Sequence, residues 1–383
     1  MGSVFAGATA IGMLDLALLL FGRQLTGSFG VAGAVTGAFG VGNAVGLPLQ
    51  ARLIDRFGLV RVLAPAGLLC GGLLLGAAVG LTSRAPAALV VVAALAGLCL
   101  PAATAGTRVL LRDLVAEPAV RPAGYALLAV LFQLGLLNGP LLVAGLVAVT
   151  GPRAAVVAAG VLACASGVLP ALSPAARGSG GNRKATHAAR PTSYPGVRTL
   201  VMGAAGTGLA AGLTGVGVPA VALARGVPAL SGVLLSLASV GMLLGGLAWG
   251  ARPRRATSRH LLRGQVGVAA AALGVAVSTA WLPAFGVGLF LGGACAAPVS
   301  VTASGLLDTV AGRPVLARAY ALMVCVQLLG SSVGYVLGGN LAPVSPALAF
   351  GCAAAALAGT AAWTRTRRGS LAAAGGGLSR PSG

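Results

Sequence analysis

The chain has 383 residues, a net charge of +21 and five acidic residues; 57% of it is hydrophobic and 8% charged. A soluble domain carries about 25% charged residues, so this composition excludes an ordinary water-facing surface and makes lipid the solvent. The charges gather between long uncharged runs, and a bilayer core about 30 Å thick takes roughly 20 apolar residues as a helix.

In chain order the runs predict twelve helices, at about 3–21, 29–51, 60–82, 86–109, 122–147, 152–172, 197–218, 228–249, 261–281, 284–307, 317–338 and 343–363. Turn signals divide the two longest runs at Trp281-Leu282-Pro283 and at Asn340-Leu341-Ala342-Pro343. The short apolar–polar alternation of barrel strands is missing from these runs. No basic residue precedes the first run, so no cleavable signal peptide is expected.

With the N-terminus inside, the outer loops receive only Arg23, Arg84, Arg153 and Arg225, leaving 22 of the 26 Lys and Arg residues on the inner side. This is the positive-inside pattern. It predicts a multi-pass protein of the cell membrane with both termini in the cytoplasm. The basic charge reports topology and attraction to anionic lipid, so no nucleic-acid partner is expected. All three Trp fall at predicted helix ends, where such rings anchor at the interface. The six Cys lie within spans and read as packing residues, and both His lie in inner loops. No metal, cofactor or catalytic constellation is expected, and therefore no enzyme.

Residues 173–198 interrupt the apolar pattern with Pro174, Gly178-Ser179-Gly180-Gly181 and Pro191. They read as a cytoplasmic linker between a first six-helix bundle, 1–172, and a second, 199–364. Residues 365–383 read as a disordered basic tail. The halves repeat: a shift of 195 places Leu111-Arg112-Asp113 on Leu306-Leu307-Asp308 and Tyr125-Ala126-Leu127 on Tyr320-Ala321-Leu322, with eight of seventeen positions identical. Chance would give about two for this composition. Two six-helix halves related by a parallel repeat are a transporter pattern, with the substrate path between them.

Three motifs stand on this frame. Between spans 2 and 3 lies Ala51-Arg52-Leu53-Ile54-Asp55-Arg56-Phe57-Gly58. It resembles the loop signature G-x-L-a-D-R-x-G-R-[KR] of the major facilitator superfamily, with Leu53, Asp55, Arg56 and Gly58 matching. Ala51 replaces the first Gly, and Leu59-Val60 replaces the closing basic pair, with Arg61 just beyond. The resemblance implies a conformational latch in which Asp55 and Arg56 reach a helix N-terminus of the opposite half. The plain alternative is an inside-positive turn. Span 5 carries Gly135, Gly139 and Pro140 in an arrangement similar to the G-x-x-x-G-P-x-x-G-G element of drug and metabolite antiporters in that superfamily, where it is associated with export. Span 11 repeats it at Gly330 and Gly334, with Tyr335 in place of Pro. Small residues let helices approach, and Pro bends them. The Arg that such antiporters carry in span 4 is replaced by Ala93.

Asp15 is the one acidic residue well inside a predicted span. An ionised carboxylate there costs roughly 2.5–3.5 kcal/mol on insertion scales, which makes it the proton-coupling candidate. The alternative is a helix-end residue wetted by the outer interface, since the predicted span ends near Phe21. Arg108, Arg112, Asp113 and Asp308 cluster at the inner ends of spans 4 and 10 and are inner-gate candidates. Thr104, Thr107, Gln133, Asn138, Thr207, Thr214, Ser300, Ser304 and Gln327 are the sparse polar candidates for a cavity wall. A weakly polar wall suits an amphipathic small molecule.

The resemblance covers about residues 3–363. It implies an all-α membrane protein with twelve transmembrane helices in two pseudo-symmetric halves. The function expected from it is secondary transport of a small amphipathic molecule out of the cell by alternating access, coupled to protons, by a monomer in the lipid bilayer. The alternatives left open are an uptake carrier or uniporter of a small metabolite, and a non-transporting sensor or scaffold that keeps the fold.

Overall fold

Every apolar run becomes a helix in the computed structural model, which describes residues 2–80, 86–102, 121–172, 191–251, 256–312 and 315–372. The first six spans are α1 (Gly2–Thr26), α2 (Phe29–Phe57), α3 (Leu59–Gly80), α4 (Pro86–Leu98), α5 (Arg121–Val149) and α6 (Pro152–Val168). The next six are α7 (Pro195–Ala224), α8 (Leu230–Gly250), α9 (Ser258–Val277), α10 (Leu282–Val310), α11 (Leu316–Leu341) and α12 (Pro346–Thr366), followed by the short α13 (Arg368–Ala372). Eleven of these are long and apolar enough to cross a bilayer; α4 is the shorter one. No strand occurs among the described residues. The fold is thus the expected all-α, twelve-helix one.

Six helices, α1, α2, α5, α7, α10 and α11, outrun their predicted lengths, because helical hydrogen bonding continues past the apolar window into the flanks. Two differences matter. The α-helix of span 4, expected to run to 109, is interrupted after Leu98, and residues 103–109 lie outside the described residues. Residues 365–372, expected as the start of a disordered tail, are helical: α13 seats Leu371 in a core cluster with Val197, Leu307 and Val310, and the Ser370 and Thr199 hydroxyls lie 2.9 Å apart.

Two compact units emerge. The first holds residues 1–185 with 218–236, so the end of α7 and the start of α8 group with the first six spans, which the expected division at the linker did not foresee. Its centre is α1, packed against α2, α5 and α6, with Met13, Leu14, Leu18 and Phe21 buried. In this unit Leu223 and Leu235 pack against the same core. The second unit holds 186–217 and 237–383. There Ala210 and Leu213 of α7 meet Ala353 and Leu357 of α12, with Val268 and Ala272 of α9 against them.

Glycines set helix spacing in both units, in matched places. In α2 and α4, a Cβ at Gly42 would overlap the Ala94 carbonyl oxygen, one at Gly46 that of Leu98, and one at Gly97 that of Phe39. In α8 and α10, a Cβ at Gly241 would overlap the Phe290 carbonyl oxygen, one at Gly245 that of Ala294, and one at Gly293 that of Ala238. The same three backbone contacts recur in each unit. They extend the internal repeat to helices whose sequences no longer show it. In lipid no hydrophobic drive pulls apolar helices together, so close backbone approach through small residues supplies the attraction.

Candidate transport site

The corner between α2 and α3 is one residue long. Gly58 takes φ +89°, ψ 162°, a conformation in practice open only to glycine, and its N–H donates to the Ile54 carbonyl at 2.9 Å. Ile54 packs under the corner with Leu59 and Leu63. Asp55 and Arg56 therefore ride on the last turn of α2, both exposed, with the Arg56 guanidinium 5.1 Å above the Phe57 ring. Gly58 is the geometric cause of the motif, and the charged pair is what the corner presents.

The Gly135-Gly139-Pro140 motif lies on the α1–α5 interface. A Cβ at Gly135 would stand 2.5 Å from Ala8 Cβ, and one at Gly139 2.5 Å from the Gly12 carbonyl carbon. Pro140 has no N–H, so the Leu136 carbonyl lacks its helical donor. That carbonyl faces Gly12, whose own Cβ position lies 2.8 Å from it. On the other side of α5, Gly232 abuts the Pro140 carbonyl oxygen, and the Ser236 hydroxyl donates to the Leu137 carbonyl at 3.5 Å. The proline thus frees the Leu136 carbonyl, and Gly12 leaves room beside it.

In the second unit Gly330 and Gly334 pack the same way on α7, against the Ala205 and Leu209 carbonyl oxygens. Tyr335, which replaces the proline, lays its ring on Gly215 instead. One copy opens the backbone of its helix; the other fills the space with an aromatic ring.

Asp15 stands in the middle of α1, because that helix runs to Thr26 rather than ending near Phe21. It is half-buried, as are Ile11 and Gly12, and all three lie on one helix face. Asp308 is exposed near the C-terminal end of α10, with the Tyr320 hydroxyl 3.0 Å from its Oδ1 and 3.1 Å from the Ser304 carbonyl. Arg108, Arg112, Asp113, Thr104 and Thr107 lie outside the described residues.

The remaining polar candidates are dispersed. Gln133 and Asn138 are half-buried on α5. Thr207 turns its hydroxyl back to the Ala204 carbonyl at 3.0 Å, as helix-interior threonines do. Thr214 is half-buried on α7, Ser300 and Gln327 are exposed, and Ser304 is half-buried. Gly208, next to Thr207, abuts the Gln327 backbone, so this pair shares one helix interface. The sequence reading passed over Gln50, a buried side chain of α2 bonded to the backbone around the end of α4. Its signal was available: a lone amide one turn beyond Gly42 and Gly46, and a proline, Pro101, inside a predicted span.

The chain resembles the solved structure of a bacterial homologue of the iron transporter ferroportin, with 17% identity, 96% of each chain covered and a TM-score of 0.71. It also resembles a POT family transporter in complex with a thioalcohol-conjugated peptide, with 12% identity, 95% and 93% covered and a TM-score of 0.72. The nucleoside transporter NupG gives 11% identity, 98% of each chain covered and a TM-score of 0.69. At these identities the likeness is one of fold. No curated protein sequence matches. The profile of the Major Facilitator Superfamily matches residues 1–335, most of the chain. The chain therefore belongs to the Major Facilitator Superfamily, the transporter family that its two glycine-packed halves and its α2–α3 corner suggest.

Proposed function

We propose that this transporter exports a small amphipathic organic molecule by alternating access, driven by proton entry through Asp15. The observation that carries the reading is the Gly135-Gly139-Pro140 segment of α5. Its glycines pack on α1, its proline frees the Leu136 carbonyl beside Gly12, and Gly232 and Ser236 contact the Pro140 and Leu137 carbonyls. A proline-weakened helix faced by small residues can bend against its neighbours, which a rocking cycle needs. The sparse intramembrane polar groups support an amphipathic cargo. In this reading the protein works as a monomer in the cell membrane, both termini cytoplasmic, with Asp55 and Arg56 as its inner latch. Asp308 belongs to the inner gate, together with Arg108, Arg112 and Asp113.

A second reading is uptake of a small polar metabolite. It is favoured by fold neighbours named as nucleoside and peptide-binding transporters. One experiment separates the two. Full-length protein in liposomes is offered ethidium, uridine and dialanine under pH gradients of either sense. Export by antiport requires ethidium to concentrate in an acid lumen and to leak out when a protonophore is added. Uridine or dialanine concentrating in an alkaline lumen overturns export in favour of uptake, and flux that is only downhill overturns proton coupling.

A further inference from the structure

Pro101 has no N–H to donate, α4 ends just before it at Leu98, and the chain around the break would leave buried backbone groups without partners. Part of the need is met locally: Cys99 N–H donates to the Leu95 carbonyl at 3.0 Å and Leu100 N–H to that of Gly97 at 3.1 Å. In a continuous helix Ala102 N–H would donate to the Leu98 carbonyl. Here the side-chain amide of Gln50 is inserted between them. Ala102 N–H donates to Gln50 Oε1 at 3.0 Å, and Gln50 Nε2 donates to the Leu98 carbonyl at 3.1 Å and to the Leu100 carbonyl at 2.8 Å. Both amide hydrogens are used, and Gln50, Leu100 and Ala102 are all buried.

The insertion is possible because α2 is held against α4. Gly42, Gly46 and Gln50 follow one another at four-residue spacing on one face, and the two glycines touch the Ala94 and Leu98 carbonyl oxygens. Beyond Gln50 the same unbroken helix runs to Phe57 and carries Asp55 and Arg56 on its last turn. Among the described residues of the second unit no such device occurs. Trp249 follows Gly241 and Gly245 at the same spacing, and α10 runs unbroken through Pro298.

We propose that Gln50 is a positioning residue of the transport cycle. Its amide stands in for the missing helical hydrogen bond at the break in span 4 and so ties span 4 to the end of α2 that carries Asp55 and Arg56. The tie consists of three hydrogen bonds and one rigid helix, so a displacement of the latch turn is passed to the break and back. This rests on the transporter reading with its inner latch, but its test needs no cargo.

The test is amide hydrogen exchange on the full-length protein in lipid nanodiscs, comparing wild type, Gln50→Leu, Gln50→Glu and Asp55→Asn. Three stretches are read: 98–102 at the break, 52–58 at the latch, and 155–165 in α6 as a control for general loosening. Gln50→Leu removes all three bonds and is expected to speed exchange about tenfold at both 98–102 and 52–58, with 155–165 unchanged. Gln50→Glu keeps the acceptor for Ala102 N–H but turns an oxygen toward the Leu98 and Leu100 carbonyls, so it is expected to show the same pattern at equal or larger amplitude. It carries the test if Gln50→Leu does not fold. Faster exchange at 98–102 with 52–58 unchanged overturns the proposal, since Gln50 then only caps a break. So do equal rises in all three stretches, which would mark a plain packing residue, or no change at 98–102. Failure of the latch itself reads out separately, as wild-type transport by Asp55→Asn, and leaves the exchange result standing.

Discussion

Gly139 of α5 lies directly on Gly12 of α1, and neither has room for a side-chain carbon. A Cβ at Gly139 would stand 2.7 Å from Gly12 Cα, and one at Gly12 3.3 Å from Gly139 Cα. The export-type motif is therefore first a packing device inside one half, and its proline acts on helices already in backbone contact.

That contact predicts a stability pattern. Gly139→Val and, in the matched interface, Gly334→Val should each destabilise the protein by about 1–3 kcal/mol, the usual cost of overpacking. Gly145→Val, on the same helix with nothing within 4 Å of its Cβ position, should leave stability close to wild type. Thermal unfolding of the three variants in one detergent, followed by size exclusion, checks this. Equal midpoints for Gly139→Val and Gly145→Val would contradict the packing account.

Asp15 is the coupling prediction. Asp15 stands in mid-helix, half-buried on the face that includes Gly12, and a carboxylate inside a span is costly to ionise. Asp15→Asn should abolish concentration of ethidium against its gradient while leaving downhill exchange near wild type. The two modes are compared in one proteoliposome preparation. Uphill transport by Asp15→Asn would move the coupling role elsewhere.

The latch prediction concerns Asp55, exposed on the last turn of α2. Asp55→Asn should lower the transport rate at unchanged expression and insertion, because a charge-assisted contact that favours one state of the cycle would be lost. Transport equal to wild type would leave the corner as a topology signal alone.

The Tyr320–Asp308 pair gives a fourth prediction. Tyr320→Phe and Asp308→Asn should lower stability non-additively, with a coupling of about 0.5–1.5 kcal/mol in a double-mutant cycle, as expected for one hydrogen bond. Strict additivity would show that the 3.0 Å approach carries no energy.

Topology can be read with single cysteines in a background lacking the six native ones. Ser179→Cys and Gly369→Cys should be shielded from an impermeant thiol reagent in intact cells and labelled after lysis. Ser370 is a poorer probe site, since its hydroxyl is 2.9 Å from that of Thr199. Labelling in intact cells would reverse the orientation.

Much of this molecule is legible from residue order alone, because lipid imposes one rule on every span. With 8% charged residues and apolar runs of helical length, the chain can satisfy its backbone in a bilayer only by forming helices, so the twelve spans follow from composition and spacing. The Asp55–Gly58 corner was legible too, since a single glycine between two helices is a local event. What only the tertiary structure decided is which carbonyl each glycine approaches. Gly42 and Gly241 are ordinary residues in a chain with 62 glycines until their partners, Ala94 and Phe290, are known. Gln50 was silent for the same reason: the groups it satisfies lie 48 to 52 residues away in sequence, around a proline that by itself predicts a bend but not what holds it. Periodicity reports the solvent of each helix, whereas a hydrogen bond between distant segments exists only once packing has brought them within 3 Å.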